Sequence, residues 1–434
     1  MPKSSSPHRT NRIAFINLEG QLETTSPDGQ ERRTLSQASR FFQFPAWSPD
    51  DRNIATIGGS RNGASVFAFR DEDNPDLGKY GSGQLLFNRR GQVPIYLNWA
   101  PNSSAITFIA IAPPQQSFGL HVVALERSEV GGEDADARGH THHTLAIGRP
   151  CFWDWSPEGD QILLHLGFAG EQNSRLAFIN PYTPQSIRQS DDIAQPGLFQ
   201  SPGISPSGNY WAFAQMNGEN KSQLVIDGKG FDERLTVEHH GLVALSWSPA
   251  RDQLAFISPP GPARTAYGPL TVIEPDGEAI IITDEMVIAF FWSPDGRSIA
   301  YFTVAGAYEQ LRSSIGLGRP MRETIEEAMP GGVLKEPMDN DDRTLRLNLW
   351  VADVETNQQR LMLTFQPLDI YINQFLPFFD QYALSHRIWS PDSNAIVLPV
   401  LEGEHAKVMV IPTASPYERP RHIADGLMAF WSWQ

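Results

Sequence analysis

The sequence contains very little cysteine. Cys151 is the only cysteine among 434 residues, which excludes a disulfide framework within the chain and any cysteine-rich zinc or iron–sulfur site. Such sparing use of cysteine is typical of proteins from a reducing compartment. We therefore expect a cytoplasmic protein, and the sequence offers no reason to expect a metal or a cofactor.

Basic residues and long apolar runs are also scarce. The 34 Lys and Arg are outnumbered by 50 Asp and Glu, giving a formal charge of −16. Nucleic acids and anionic membranes select clustered Lys and Arg, so both are disfavoured as partners. No apolar run approaches the roughly 18 residues of a spanning helix. The first residues lack the apolar region of a secretory signal. We expect no membrane insertion, and the oligomeric state stays open.

What the sequence does contain is a repeated motif. An apolar segment ending in tryptophan is followed by a Ser-Pro-Asp-Gly type turn and a second strand-like segment. Proline presets φ, Asp bonds its own backbone and Gly accepts positive φ, so the motif predicts a β-hairpin. Six copies have their tryptophan at Trp47, Trp99, Trp155, Trp247, Trp292 and Trp389, and a seventh, degenerate copy has Ile204 in that position.

The spacing of the copies predicts the fold. Most are separated by roughly 40 to 55 residues, with two further short strand-like segments before the next copy. Four strands in a repeat of this length are typical of a β-propeller blade. The segments between strands lack a helical period, which excludes a parallel α/β fold.

The two ends of the sequence predict one more blade. Trp431 matches the motif tryptophan, but the chain stops where the second strand should follow. Arg12–Asn17 reads as that strand, and residues 20–35 as the third and fourth, so both termini close the last blade. We predict an all-β fold: one β-propeller domain over 1–434, with repeats from about 12 to 433 and eight four-stranded blades. Seven blades remain possible if the copy at Ile204 belongs to a neighbour.

These repeats, of which Trp292 to Gly296 is a full example, resemble the TolB-like, or PD40, class of WD40-like β-propeller repeats. The resemblance covers about Arg12 to Trp433 and implies the propeller fold in a bacterial protein. For function it implies a choice, because the class includes periplasmic assembly factors, propeller domains in front of serine peptidases and stand-alone lyases. We expect neither the secretion signal of the periplasmic members nor an appended hydrolase domain.

Few residues suggest chemistry, and the sequence shows no nucleophile elbow or phosphate-binding loop. Asp154 precedes a motif tryptophan, where most other copies have a small or apolar residue. A carboxylate there needs a partner or a raised pKa. It is either a hydrogen-bonded link between blades or a channel-facing ligand or catalytic group. His386 and Arg387 are the other possible catalytic residues, and Cys151 reads as a small buried side chain.

A histidine cluster invites a metal-binding interpretation. His140, His142 and His143 lie close together, and imidazoles bind transition metals. We place them in a solvated loop between the third and fourth strands of the second blade. Adjacent residues of a flexible loop seldom form a coordination site, so we predict no metal.

Two insertions are better functional candidates. Residues 305–343 form a long connection in which Pro320–Met329 predicts a short amphipathic helix ended by Pro330-Gly331-Gly332. The connection over 366–386 is long and rich in aromatic residues. Both insertions should emerge on the same face of a propeller. Either the helix folds onto the propeller and the aromatic residues bury it, or the two insertions form a docking surface or a lid over the channel mouth.

We therefore favour a non-enzymatic scaffold that binds a protein partner through the face carrying these insertions. The alternative is a stand-alone hydrolase or lyase acting on a peptide or saccharide at the channel mouth, with Asp154, His386 and Arg387 as polar participants. The expected partner-binding residues are Met321, Ile325, Met329, Tyr371, Phe375, Phe378, Phe379 and Tyr382.

Overall fold

The computed structural model describes residues 10–37, 40–60, 63–71, 83–112, 117–127, 140–217, 221–231, 233–306, 345–415 and 417–434. Within them the chain forms eight antiparallel sheets. They are the blades of a β-propeller, and the degenerate copy at Ile204 forms a blade of its own. The prediction of eight blades is thus confirmed. We number the blades from the one that contains Trp47 and call the strand nearest the central channel the first strand.

Six sheets have four strands among the described residues. Blade 1 comprises Phe41–Trp47, Asn53–Ser60, Gly63–Arg70 and Gln84–Phe87. Blade 2 comprises Val93–Trp99, Ala105–Ala112, Ser117–Arg127 and His140–Ile147. Blade 4 comprises Gly203–Ile204, Tyr210–Met216, Ser222–Gly228 and Leu235–Glu238. Blade 5 comprises Ala244–Trp247, Leu254–Ile257, Gly268–Ile273 and Ala279–Val287. Blade 6 comprises Ala289–Trp292, Ser298–Val304, Leu347–Asp353 and Gln359–Phe365. Blade 8 comprises Met428–Trp431, Ile13–Ile16, Leu22–Thr25 and Arg33–Thr34.

The other two sheets have three regular strands among the described residues. Blade 3 lacks a regular fourth strand, but Ile193 N still donates to Leu176 O at 2.8 Å. Blade 7 lacks a regular first strand, and Val397 N donates to Ile388 O at 2.8 Å in its place. The regular strands of blade 3 are Cys151–Trp155, Ile162–Leu166 and Arg175–Ile179. Those of blade 7 are Ala395–Glu402, His405–Pro412 and Arg421–Asp425.

Tryptophan recurs in the motif because its indole joins neighbouring blades. In four blades the indole Nε1 donates to the main-chain carbonyl that precedes the motif position of the previous blade. This bond joins the first strands of two neighbouring blades. The bonds are Trp99 to Ala46 O at 2.9 Å, Trp247 to Gly203 O at 3.1 Å, Trp292 to Ser246 O at 3.0 Å and Trp389 to Phe291 O at 3.0 Å.

Blade 8 is closed by both ends of the chain, as predicted. Met428–Trp431 pairs antiparallel with Ile13–Ile16, placing Ile13 opposite Trp431. The residues that follow fasten this blade to blade 1. Trp433 N and Gln434 N donate to the two carboxylate oxygens of Asp51 at 2.6 and 2.7 Å.

The long insertion leaves a regular hairpin. The second and third strands of blade 6 pair from Ser298 opposite Asp353 to Val304 opposite Leu347. Residues 307–344 lie outside the described residues, and with them the predicted helix Pro320–Met329 and the candidates Met321, Ile325 and Met329. In the described part of the chain, no helix has the length and apolar character needed to cross a membrane.

Candidate functional site

Residues 366–386, here called the plug, occupy the central channel. They form a π-helical turn at Tyr371–Phe375, a 3₁₀ turn at Leu376–Phe378 and a short α-helix at Phe379–Ala383. The helix packs against the first strands of blades 3, 5 and 6. The channel of this propeller is therefore filled from the face at which the plug leaves blade 6.

The aromatic side chains of the plug form a core with the first strands. Phe375 stacks on Phe291 of blade 6, with ring centroids 5.6 Å apart, and Tyr382 stacks on Phe44 of blade 1 at 4.9 Å. Phe379 meets Phe290 edge-to-face at 5.0 Å. Burying such rings stabilises the fold through the removal of apolar area and through ring–ring contacts.

This burial corrects the expectation that the aromatic residues of 366–386 lie on a docking surface. Tyr371, Phe375, Phe379 and Tyr382 are each at most 3% exposed. Phe378 is half-buried, with its ring 6.3 Å from that of Phe152. In this conformation they contact the blades, because the first strands supply matching aromatic rings. The other sequence alternative, in which the aromatic residues bury the predicted helix, involves residues 320–329, which lie outside the described residues.

Polar side chains of the plug form hydrogen bonds with main-chain groups at the inner edge of the first strands. The Gln381 side chain accepts from Trp153 N and donates to Trp153 O, both at 2.8 Å. Asp380 Oδ2 accepts from Ser201 N, just before blade 4, at 3.1 Å. The Tyr96 hydroxyl of blade 2 donates to the main-chain carbonyl of Gln381 at 2.8 Å. These bonds fix the plug in register with three blades.

Asp154 joins two blades. Its Oδ2 accepts from Ile204 N of blade 4 at 2.8 Å, the link that one sequence interpretation expected. Burial raises the pKa of this carboxyl to about 7 despite the main-chain donors. Burial likewise raises the pKa of Asp380 to about 7. Burial therefore favours the neutral form of each carboxyl.

His386 is held by hydrogen bonds at both ring nitrogens. Nε2 lies 3.2 Å from Phe44 O and therefore carries the proton, while Nδ1 lies 2.6 Å from Ser385 Oγ. Burial lowers the pKa of His386 to about 3. The imidazole is neutral at physiological pH and is a weak base.

Arg387 projects from the irregular first segment of blade 7. Its guanidinium lies 4.2 Å from the centroid of the Trp433 ring, and NH1 donates to Trp433 O at 3.0 Å. Burial lowers the pKa of Arg387 to about 10, which leaves it charged at neutral pH. Among the described residues, no carboxylate oxygen lies within 4.0 Å of this guanidinium.

One cavity brings these candidates together. It has a volume of about 210 Å³, and Asp154, His386 and Arg387 all line it. Asp380 also lines it and was missed by sequence reasoning, although a carboxylate within an aromatic segment is a signal that could have marked it. The cavity extends to the turn end of the channel, where it is lined by Pro157, Pro206, Pro249 and Pro294.

The histidine cluster lies elsewhere. His140–Ile147 is the fourth strand of blade 2, so the predicted loop position is wrong. His142 is buried with its ring 5.7 Å from that of Phe87, and His143 Nε2 lies 3.0 Å from Pro181 O. Within the described ranges, no group of three or more His, Cys, Asp or Glu is arranged to hold a metal. Cys151 is buried, and burial raises the pKa of its thiol.

Comparison with known proteins identifies relatives in structure only. No protein-family model and no curated protein sequence match the chain. Prolyl oligopeptidase B from Galerina marginata is 9% identical with a TM-score of 0.54, covering 89% of this chain and 50% of its own. The chain thus spans half of that enzyme's length. Dihydro-heme d1 dehydrogenase NirN is 12% identical with a TM-score of 0.52, covering 100% of this chain and 77% of its own.

A TolB structure is also among the matches. TolB from Acinetobacter baumannii is 14% identical with a TM-score of 0.37, covering 64% of this chain and 67% of its own. At these identities, similarity to the two higher-scoring structures reflects fold and not activity. The chain folds as an eight-bladed β-propeller, the fold that its repeats predicted.

Proposed function

We propose that the protein is a non-enzymatic scaffold that binds a protein partner on the face from which the 305–343 insertion emerges. Successive strands of a blade are antiparallel, so the connection from the second to the third strand shares a face with the connection between blades. The insertion and both ends of the plug therefore share one face. The observation that carries the proposal is the filled channel, which makes this face a closed platform.

The hydrogen bonds of the candidate catalytic residues also favour a scaffold. Asp154 and Asp380 accept main-chain N–H groups of neighbouring segments, and His386 uses both ring nitrogens. These bonds hold the blades and the plug together. A general base needs a pKa nearer the working pH than the lowered value of His386.

The experiment is a loop deletion followed by partner capture. Residues 306–342 are replaced by a short Gly-containing turn, so that the strands Ser298–Val304 and Leu347–Asp353 form an ordinary hairpin. Loop length changes closure entropy only logarithmically, so circular dichroism and the melting curve should stay close to those of the full-length protein. The partner recovered stoichiometrically by the full-length protein should be lost.

A matched deletion on the opposite face is the control. Residues 73–81 connect Gly63–Arg70 to Gln84–Phe87 in blade 1, and the ends of these two strands lie at the other end of the channel. Their removal should leave partner recovery unchanged. Full recovery by the 306–342 deletion would refute the proposal, and loss with the 73–81 deletion alone would assign binding to the other face.

A second candidate function is a hydrolase or lyase, because one cavity is lined by Asp154, His386 and Arg387 together. An Asp154→Asn variant separates the two. It preserves the oxygen that accepts from Ile204 N and removes the ionisable group. Turnover of peptide or oligosaccharide substrates that disappears in this variant would favour the enzyme over the scaffold.

A further inference from the structure

Opposite charges face the central cavity from opposite sides of the ring. Asp154 lies on the first strand of blade 3, and Arg387 lies on the first segment of blade 7. In a ring of eight blades, the third and the seventh are diametrically opposed. Asp380 belongs to the plug, which closes the cavity at one end. The cavity thus has one cationic wall, and its opposite wall and its roof carry carboxyls.

Among the described residues, no carboxylate hydrogen-bonds the buried guanidinium of Arg387. Burial lowers its pKa, and the charge of Asp51 acts on it in the opposite direction. Only NH1 is engaged, by Trp433 O, and the remaining N–H groups donate to none of the described residues. Stacking on Trp433 fixes the plane of the guanidinium. Withdrawing a charge from water is unfavourable unless an opposite charge compensates it. A rigid guanidinium with free donors matches a carboxylate, which it binds through two parallel hydrogen bonds.

The carboxyls retain acceptor capacity toward the cavity. Asp154 Oδ2 accepts from Ile204 N, and the main-chain N–H of Trp155 also stabilises this carboxylate. The oxygens of Asp380 accept from Ser201 N and Gln381 N at 3.1 and 3.0 Å. A carboxylate offers about four acceptor positions in total. Both groups can therefore accept further donors, and a cation between them would favour their charged forms.

We propose that this cavity binds a small zwitterion, an α-amino acid or a dipeptide, whose carboxylate pairs with Arg387 and whose ammonium group pairs with Asp154 and Asp380. The volume of about 210 Å³ is several times the ~30 Å³ that one water occupies in the liquid. A dianion would be repelled by the two carboxyls and a polycation by the guanidinium. Tryptophan side chains on the wall offer apolar contact to the body of the ligand, among them Trp155, Trp247, Trp292 and Trp389.

The test is calorimetric titration of the full-length protein with L-alanine, L-alanyl-L-alanine and two blocked forms of the dipeptide. N-acetylation removes the ammonium group, and C-terminal amidation removes the carboxylate. We expect saturable binding of at least one zwitterion and a loss of tenfold or more on blocking either end. No binding of L-alanine or L-alanyl-L-alanine at millimolar concentration would overturn the proposal, as would equal affinity for the blocked forms.

Substitutions then assign each end of the ligand. Arg387→Gln should bind the free and amidated dipeptides equally, and Asp154→Asn should reduce the discrimination against the acetylated one. Controls of the same chemistry outside the cavity are Arg251→Gln, from an exposed ion pair with Glu355, and Asp160→Asn. Both controls should bind as the wild type does. Unchanged discrimination in both cavity variants would overturn the proposal.

If those variants fail to fold, titration of the wild-type protein with the blocked dipeptides still tests the proposal. The proposal is also independent of partner binding. The deletion of residues 306–342 removes none of the described residues that line the cavity, so we expect that variant to bind the zwitterion as the full-length protein does.

Discussion

The side-chain amide of Gln381 pairs with the main chain of Trp153 as a neighbouring strand would. It accepts from Trp153 N and donates to Trp153 O, each at 2.8 Å. The inner edge of a first strand has no neighbouring strand on the channel side, and its main-chain groups need other partners. The plug supplies one of these hydrogen-bonding partners and is therefore an integral part of the fold.

Replacing Gln381 should therefore destabilise the protein. We expect Gln381→Ala to lower the free energy of unfolding by about 3 kcal/mol, because each buried main-chain group left unpaired costs ~1–3 kcal/mol. Urea unfolding followed by tryptophan fluorescence measures this change. The control is Gln30→Ala, in an exposed turn. A variant within about 0.5 kcal/mol of the wild type would show that water replaces the side chain.

Asp51 should contribute to closure of the ring. Its carboxylate accepts from Trp433 N and Gln434 N, and its φ of 55° is one that Asn also tolerates. Asp51→Asn removes the charge and one acceptor. We expect a loss of about 1–2 kcal/mol, since hydrogen bonds to charged groups are worth ~1.5–3 kcal/mol. Thermal unfolding should show a lower midpoint, and an unchanged midpoint would contradict this role.

Deleting Leu427–Gln434 should have a much larger effect. The deletion removes the first strand of blade 8 and exposes an edge of Ile13–Ile16, which also invites association between chains. We expect a strongly lowered melting temperature and aggregation at high concentration. A truncated protein that melts within a degree or two of the full-length chain would refute closure by both termini.

The buried carboxyls should make stability fall as pH rises. The ordinary pKa of an Asp side chain is 3.8, and burial raises that of Asp154 to about 7 in the folded protein, so the folded state binds more protons between these values. The stabilising contribution is complete below the lower value and is lost as pH rises through the higher one. In Asp154→Asn the decline between about pH 4 and 7 should be shallower. Equal slopes for the variant and the wild type would show that this carboxyl ionises normally.

The buried histidines should make the protein less stable as pH falls. Burial lowers the pKa of His165 from 6.5 to about 4, so the unfolded state binds more protons between those values. This contribution is present above pH 6.5 and is lost as pH falls toward 4. His165→Asn keeps a donor for Gln200 O and cannot be protonated, so its stability should decline less over that range. Substitution of the exposed His405 is the control, and its pH profile should match that of the wild type.

The blades could be predicted from the sequence because their signals are local. At Trp292 to Gly296 the hydroxyl of Ser293 donates to Asp295 at 2.6 Å and Gly296 adopts a φ of 68°. The turn therefore depends on residues within one motif. Even the degenerate copy at Ile204 keeps its Ser-Pro turn and forms a blade.

The plug could not be predicted in the same way, because its partners are distant in sequence. Tyr382 stacks on Phe44, and Gln381 bonds Trp153, contacts that span most of the chain. No local pattern distinguishes an aromatic segment that enters a channel from one that covers a face. Asp154, His386 and Arg387 were identified individually, but their common cavity arises only when blades 3 and 7 face each other across the ring.

Closure of blade 8 by both termini has a consequence for synthesis on the ribosome. Ile13–Ile16 is synthesised long before its partner Met428–Trp431. Until that partner has been synthesised, Ile13–Ile16 keeps an open edge on this side and the ring of blades stays incomplete. Contacts of such long range form slowly. An open strand edge invites pairing with other chains, so this edge is exposed to association for the whole interval between the synthesis of the two strands.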